Sequence, residues 1–173
     1  MRVVAGAFKG RRLQAPRGAR TRPTADRVRE AVFSILAGVE GARVLDLYAG
    51  SGALGIEALS RGAASATFVD DDPRAVAAIR ANLELVGATA KVERLDVGRF
   101  LTRTEDTYDL VFADPPYDSA AALARPLAER LPRVLSENAR IVTESHKRQP
   151  LELPLPLLRE RTYGDTRIAV HHA

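Results

Sequence analysis

The feature that most constrains the fold is an alternation of short apolar segments with segments of helical period. Four apolar runs are short enough to be strands: RVLDL, ATFVD, KVERLD and DLVFA. Segments in which apolar residues recur every three or four positions follow the first two runs, namely ALGIEALSRG and the residues from Asp72 to Gly87. Strands that alternate with helices predict a parallel sheet with helices on both faces.

The second half of the chain extends this pattern to a mixed edge. AALARPLAERL is a helical pattern in which we expect Pro126 to mark a break or the first turn. Three further runs predict strands: RIVTE, LLRERTY and TRIAVHH. The last two form a hairpin around Gly164-Asp165, so one strand becomes antiparallel. The predicted fold class is therefore α/β, with a seven-stranded, mostly parallel sheet that contains one antiparallel strand.

Two shorter elements precede the sheet. VVAGAF and RRLQAP, separated by Lys9-Gly10, predict a short β-hairpin. A helical pattern follows from Thr24 and ends at Gly38. We therefore divide the chain into an N-terminal arm, residues 1–22, and a main domain, residues 23–173.

The positive charge of the protein is concentrated near this arm. Residues 1–30 contain nine Arg or Lys and two acids, whereas the remaining residues contain 17 Arg or Lys and 20 acids. Such an asymmetry indicates a segment that binds a polyanion, and a solvated basic hairpin is the alternative. Because most of these cations are Arg, the better phosphate ligand, we favour nucleic acid. The candidate nucleic-acid contacts are Arg2, Lys9, Arg11, Arg12, Arg17, Arg20 and Arg22.

Composition disfavours several other classes of function. The chain has no cysteine, which excludes disulfides and thiolate chemistry and fits a reducing cytoplasm. Its N-terminus lacks the apolar core of a signal peptide, and no apolar run approaches the length of a membrane span. The three histidines have no carboxylate cluster at ligand spacing, so we expect no metal. We expect a cytoplasmic protein with no membrane partner.

The glycine-rich segment after the first strand is the first candidate for ligand binding. In open α/β sheets, ligands bind at the carboxyl ends of the central strands. Gly50, Gly52 and Gly55 follow such a strand with the G-x-G-x-x-G spacing, which lets backbone approach a ligand closely. Asp70 ends the second strand about 20 residues further on, where an acid accepts hydrogen bonds from ribose hydroxyls. Together these residues predict a nucleotide site.

Asp46 bears on which nucleotide this site binds. A dinucleotide would place its pyrophosphate at the helix N-terminus, and an acid just before the glycines would then be poorly placed. A negative side chain suits a cationic ligand, such as the amino group and sulfonium of S-adenosylmethionine. Asp96, at the end of the third strand, could accept from an adenine amino group or could be a plain strand-end or capping acid. Its position alone does not decide between the two.

The fourth strand ends in Asp114-Pro115-Pro116-Tyr117. The two prolines fix φ and remove two backbone donors, so the chain leaves the strand as a stiff, extended turn. The Asp114 carboxylate and the Pro115 carbonyl could bind both N–H groups of a planar exocyclic amine and aim its nitrogen at a methyl group. Tyr117 could stack on the base. A proline-rich strand cap would explain the prolines but not the acid and the aromatic residue.

These motifs together resemble those of class I S-adenosylmethionine-dependent methyltransferases, and DPPY is similar to their [D/N]PP[Y/F] amino-methylating motif. A closer likeness is to the RsmD family, the bacterial 16S ribosomal RNA guanine(966)-N2 methyltransferases. It is carried by RVVAGAFKGRRLQAP, TRPTADRVREAVFSIL and LDLYAGSGALGIEALSRGA, and it is weak after Ser119. The resemblance implies a Rossmann-like fold and methyl transfer from S-adenosylmethionine, with S-adenosylhomocysteine as the product.

The resemblance also implies roles for individual residues. The implied catalytic residues are Asp114, Pro115, Pro116 and Tyr117. The implied cofactor-binding residues are Asp46, Tyr48, Gly50, Gly52, Asp70, Asp96 and Val97, and Asp72 is left as a helix cap. The TRPTADRVRE stretch is typical of the family, and we expect it to link the arm to the mouth of the active site.

The implied partner is 16S rRNA, in 30S particles, and we expect a monomer. Other planar amino groups stay open as targets, because DPPY does not separate guanine N2 from adenine N6, cytosine N4 or a glutamine amide. A non-catalytic RNA-binding assembly factor and an NAD-dependent enzyme are two further alternatives. The former has no need of both motifs, and only GSGALG supports the latter.

Overall fold

Helices and strands alternate along the chain in the computed structural model, which describes residues 1–16, 18, 26–116 and 120–173. The helices are α1 (Asp26–Leu36), α2 (Ala53–Ser60), α3 (Pro73–Val86), α4 (Val97–Arg103) and α5 (Ala120–Arg130), followed by a 3-10 turn (Leu131–Val134). The strands are β1 (Arg43–Leu47), β2 (Ser65–Asp70), β3 (Lys91–Arg94), β4 (Tyr108–Ala113), β5 (Leu135–His146), β6 (Leu157–Tyr163) and β7 (Thr166–His172). None of these described helices has the length and apolar character needed to cross a membrane.

The strands form one sheet in the order β3-β2-β1-β4-β5-β7-β6. Neighbouring strands are parallel except around β7, which is antiparallel to both β5 and β6. The predicted mostly parallel sheet with one antiparallel strand is therefore confirmed. The chain proceeds from β1 toward β2 on one side and reaches β4 on the other, so the carboxyl ends of β1 and β4 flank the switch point of the sheet, where ligands bind in such folds.

Side chains of the central strands alternate between two apolar layers. Val44 and Phe112 pack in a layer with the buried residues of α1, α2 and α3. Leu45 and Val111 point to the other face and pack with those of α4 and α5. Strands that are buried on both faces read as continuous apolar runs, as the sequence of β4 does.

The cap predicted for α3 is confirmed. Asp72 is its N-cap and accepts a hydrogen bond from the Arg74 backbone N–H at 2.8 Å. Pro73 occupies the first turn, and Gly87 ends the helix with φ of 74°. This arrangement satisfies an orphan donor at the start of the helix and lets the chain turn sharply at its end.

Three boundaries differ from the predictions. β3 ends at Arg94 rather than at Asp96, because Asp96 begins the short helix α4, which the sequence pattern did not reveal. The strand predicted as RIVTE is the centre of the 12-residue β5. Pro126 neither breaks α5 nor lies in its first turn. Pro126 has no N–H to donate to the helix, and the next residue, Leu127, is buried against the sheet layer.

The predicted N-terminal hairpin is present but short. Arg2 and Arg12 form one antiparallel bridge. The Val3 backbone N–H donates to the Arg11 carbonyl, and the Gly10 N–H donates to the Val3 carbonyl, both at 2.9 Å. The boundary at residue 22 lies outside the described residues, so the division into an arm and a main domain stays a prediction.

The arm docks on the side of α2 through polar contacts. The fully buried Glu57 carboxylate accepts hydrogen bonds from the backbone N–H groups of Val4, at 2.7 Å, and Ala5, at 3.0 Å. The Ser60 hydroxyl accepts from the Phe8 N–H at 2.9 Å. Backbone groups of the arm that would be costly to bury unpaired are thus matched by α2 side chains.

Asn82 of α3 provides a second attachment. Its Oδ1 accepts from the Gln14 N–H at 2.8 Å, and its Nδ2 donates at 2.9 Å to the carbonyls of both Gln14 and Ser51. Ser51 belongs to the glycine-rich segment after β1. One buried side chain therefore joins the arm to the loop that the sequence predicts to bind the cofactor.

Candidate active site

Asp46 lies near the carboxyl end of β1 with only 2% of its surface exposed. Its Oδ2 accepts a hydrogen bond from the Gly55 backbone N–H in the first turn of α2, at 2.9 Å. Burial raises the pKa of Asp46 to about 8, this hydrogen bond opposes the rise, and the nearby charge of Asp70 adds to it. A carboxylate held in this way gains most from a ligand that brings positive charge.

Gly55 is required for the close packing of α2 on the sheet. A Cβ at this position would lie 2.3 Å from a ring carbon of Phe68 and 3.1 Å from the Asp46 carboxylate. Any larger residue would push α2 away from β2 and remove the backbone donor from Asp46. The glycine spacing recognised in the sequence therefore has a structural reason at its third position.

Asp70 ends β2 on the other side of the glycine-rich segment. Its Oδ2 accepts from the Gly50 N–H and its Oδ1 from the Asp72 N–H, both at 2.9 Å. Burial nevertheless raises the pKa of Asp70 above its usual value. Each carboxylate oxygen has a second lone pair, so both can still accept from a ligand hydroxyl.

Tyr48 occupies the turn between β1 and the glycines with a positive φ of 56°. That backbone conformation is uncommon for a bulky residue and is typical of tight turns and ligand loops. Burial raises the pKa of its phenol to about 12, so the hydroxyl stays protonated. The turn thus presents a neutral phenol near two exposed acids, Asp96 and Asp71, whose charges raise its pKa further.

The Asp114-Pro115-Pro116 segment begins where β4 ends, beside the end of β1. Leu47 pairs with Ala113, so Asp114 is the first residue beyond the paired strands. Asp114 keeps some surface exposure, but its carboxyl group is surrounded by protein atoms, and this burial raises its pKa well above the usual value. The charges of Glu144 and Asp46 raise it further. Tyr117 lies outside the described residues.

Glu144 was missed by the sequence interpretation. It lies on β5, one residue beyond the Thr143–Ala113 pair, and is 6% exposed. The available signal was an acid inside RIVTE, a run that otherwise resembles a buried central strand. The structure thus brings three acids from different strands, Asp46, Asp114 and Glu144, to one edge of the sheet.

Asp96 and Val97 lie at the start of α4. The Asp96 Oδ1 accepts from the Arg99 N–H at 2.9 Å, which makes Asp96 the N-cap of this helix. The side chain of Asp96 is exposed and that of Val97 is buried. The capping role left open by the sequence is therefore present, and a contact between Asp96 and adenine stays a prediction.

Comparison with known proteins identifies the family. A family model described as Conserved hypothetical protein 95 matches residues 1–172. The chain belongs to this family. YlbH of Bacillus subtilis is 41% identical to it over 182 residues, which cover 99% of this chain and 98% of that protein. Ribosomal RNA small subunit methyltransferase D of Escherichia coli is 38% identical over 84% of this chain and 71% of its own length, and the resemblance to the RsmD family is thereby confirmed.

The fold of the family is also found in a solved structure of similar length. A hypothetical protein of Thermus thermophilus matches this chain with a TM-score of 0.85 and 31% identity. The match covers 100% of this chain and 99% of that one. The similarity therefore includes the N-terminal hairpin as well as the sheet.

Four cations of the predicted N-terminal arm lie within the described residues. Arg2, Lys9, Arg11 and Arg12 are exposed, and the Arg2 Nε lies 3.6 Å from the Asp26 carboxylate. The other three predicted contacts, Arg17, Arg20 and Arg22, lie outside the described residues. The start of the chain is also close to the glycine-rich segment, because the Ser51 hydroxyl lies 3.3 Å from the Met1 sulfur.

A cavity of about 500 Å³ lies near the amino end of β1. It is lined in part by Phe33, Val39 and Ser60, which belong to α1, the connection to β1 and the end of α2. Because ligands of this fold bind at the carboxyl ends of the strands, we do not assign this cavity to catalysis.

Proposed function

We propose that this protein transfers a methyl group from S-adenosylmethionine to the exocyclic N2 of a guanine in 16S rRNA. The observation that carries the proposal is the placement of Asp114-Pro115-Pro116 beside the glycine-rich segment, across the β1–β4 pair. The rRNA target is supported by relatives that are named ribosomal RNA small subunit methyltransferase D. The resemblance to the RsmD family adds guanine 966, the 30S particle and a cytoplasmic monomer to the proposal.

The residues around β1 and β2 fit a cationic nucleoside cofactor. Asp46 would hold the amino group of the cofactor, because a cation brought to this buried carboxyl group offsets the cost of its ionisation. Asp70 would accept from the ribose hydroxyls through its remaining lone pairs. The bound cofactor supplies a methyl group activated by the positive sulfonium.

The Asp114 carboxylate and the Pro115 carbonyl would accept the two N–H groups of the guanine amine. They would hold the nitrogen in line for attack, and positioning of this kind supplies about 7–11 kcal/mol of barrier reduction. Asp114 would also stabilise the positive charge that develops on nitrogen. When N2 loses a proton, Asp114 is suited to accept it because its pKa is raised.

The exposed cations of the arm would hold the RNA backbone. Arg2, Lys9, Arg11 and Arg12 are exposed, and such side chains position nucleic acid through phosphate without reading sequence. The assembled ribosomal particle would then supply much of the target specificity.

The experiment that tests the proposal is transfer of labelled methyl in parallel to 30S subunits, naked 16S RNA and DNA, with the modified nucleoside identified. We expect N2-methylguanosine in ribosomal RNA. Asp114→Ala should lower the rate at least about 100-fold, because it removes an acceptor that acts on the developing charge. Its affinity for S-adenosylhomocysteine should stay close to that of the unmodified protein.

The matched control is Asp106→Ala, which removes an exposed aspartate away from the site. It should keep full activity. Labelled DNA, labelled 6-methyladenosine, or substantial turnover by Asp114→Ala would each contradict the proposal.

A further inference from the structure

Glu144 lies beside Asp114 because of the sheet register. Ala113, the last residue of β4, pairs with Thr143 of β5, so the residues that follow them, Asp114 and Glu144, are neighbours. Val142 packs in the same apolar layer as Phe112, and alternation places Glu144, two residues after Val142, on that same face. Asp46 lies on this face too, because it follows Val44 by two positions on β1.

Glu144 is buried to an extent that is unusual for an acid. It is only 6% exposed, on a strand whose residues from Ile141 to Ser145 are all buried. Asp114 is close enough that the charge of Glu144 raises its pKa. Ionisable groups that lie close together and shift a pKa in this way are typical of functional sites.

We propose that Glu144 accepts the N1–H of the target guanine and thereby selects guanine over other bases that carry an amino group. This inference rests on the proposed function, and it adds the residue that reads the base. DPPY by itself provides acceptors only for an amino group, which adenine and cytosine also present.

The three hydrogens on one edge of guanine match three acceptors of this site. Asp114 and the Pro115 carbonyl take the two hydrogens of the amino group, and Glu144 takes the hydrogen on the adjacent ring nitrogen. In adenine and cytosine, that adjacent nitrogen carries a lone pair instead of a hydrogen. A carboxylate facing a lone pair loses a charge-assisted hydrogen bond and meets repulsion. Buried groups left unpaired in this way reject the wrong substrate strongly.

The test uses reconstituted 30S particles with guanosine or 2-aminopurine riboside at the target position. Both bases have an amino group at C2, but N1 carries a hydrogen in guanosine and a lone pair in 2-aminopurine. For the unmodified protein, we expect kcat/KM for guanosine to exceed that for 2-aminopurine at least about 100-fold. Glu144→Gln keeps the size of the side chain and adds an N–H donor. It should lower the rate on guanosine, and it should reduce the ratio of kcat/KM for guanosine to that for 2-aminopurine at least about 10-fold.

Glu137→Gln is the matched control, because Glu137 is an exposed acid on the same strand. It should leave both rates unchanged. Binding of S-adenosylhomocysteine by Glu144→Gln, measured by calorimetry, verifies that the variant is folded. N1-methylguanosine at the target should also be a poor substrate for the unmodified protein, a measurement that does not depend on any variant.

The outcomes separate this inference from the proposed function. If the unmodified protein methylates no guanine, the proposed function is wrong and the role of Glu144 falls with it. If it methylates guanosine and 2-aminopurine equally well, only the role of Glu144 is wrong. The same conclusion holds if Glu144→Gln lowers both rates by one factor.

Discussion

Two groups of buried acids, one beneath the arm and one at the strand ends, differ in what surrounds them. Glu57 accepts from two backbone N–H groups and lies 2.8 Å from the Arg61 Nε. Among the described residues, Asp46 accepts from the Gly55 N–H group, and burial raises its pKa. The contacts of Glu57 are supplied within the folded protein, whereas we propose that the cofactor binds at Asp46.

Helix α2 contacts both the arm and Asp46 at the strand ends. The N-terminus of α2 donates to Asp46 through Gly55, and its middle and end hold the arm through Glu57 and Ser60. Because α2 has only eight residues, the proposed cofactor site and the proposed RNA-binding arm share one short rigid element. Asn82 connects the same two regions from α3.

Removing the contacts that hold the arm on α2 should have the largest effect on the free energy of unfolding. Glu57→Ala removes the acceptor of two arm N–H groups and the partner of Arg61. We expect the free energy of unfolding to fall by about 3–5 kcal/mol, the usual cost of removing one partner from a buried charged network. Urea denaturation measures this, with Glu84→Ala, an exposed acid on α3, as the control. A loss below about 1 kcal/mol would mean that the arm is not held through Glu57.

The raised pKa of Asp46 at the strand end should make the free energy of unfolding depend on pH. Between about pH 4 and pH 8 the folded protein keeps a proton on Asp46 that the unfolded chain has lost, so stability falls as pH rises through this window. For this one group the slope is about 1.4 kcal/mol per pH unit, or about 2–3 kcal/mol between pH 5 and pH 7. Asp46→Asn removes this contribution and should flatten the curve by that amount.

Urea denaturation at several pH values checks the flattening, and Asp106→Asn, an exposed aspartate, is the control. Parallel curves for Asp46→Asn and the unmodified protein would contradict a buried, proton-retaining Asp46. Added S-adenosylmethionine should weaken the pH dependence of the unmodified protein, because a cation near Asp46 favours its ionised form.

The smallest effect is expected on the outer face of the arm, where charge can be removed without touching the buried network. Replacing Arg11 and Arg12 with Gln should leave stability nearly unchanged, since both side chains are exposed. The salt dependence of RNA binding should fall by about 0.7–0.9 in slope for each lost phosphate contact.

The control for this pair is Arg103→Gln with Arg133→Gln, which removes the same charge from exposed positions on α4 and the 3-10 turn. An unchanged slope for the arm variant would mean that Arg11 and Arg12 do not contact phosphate. An equal change for the control would mean that net charge, rather than the arm, determines the salt dependence.

Local pattern was enough to predict the strands and most helices. Alternating apolar runs located all seven strands, and Asp72-Pro73 marked the start of α3. Helix α4 was missed because its seven residues are too few for a periodic signal and begin only three positions after the end of β3. The length of β5 was underestimated because its first half, with Glu137 and Asn138 exposed, does not read as a buried strand.

The candidate site was predictable where its residues form short motifs. Gly50, Gly52, Asp70 and Asp114 could be recognised because turn geometry and strand ends constrain neighbouring residues in the chain. Glu144 belongs to no such motif, because its proposed role depends on Asp114, which lies 30 residues earlier in the sequence. The role of Glu57 likewise depends on Val4 and Ala5, more than 50 residues away.

By itself, the sequence determined the class of the fold and the glycine-rich turn, and it predicted the chemistry of Asp114-Pro115-Pro116, because each of these depends on residues close together in the chain. Only the tertiary structure decided which acids meet at the sheet edge and which one holds the arm. The pairing of β4 with β5 puts Glu144 beside Asp114, and the packing of the arm on α2 puts Glu57 beneath it. Contacts of this kind follow from strand register and burial, which no local pattern contains.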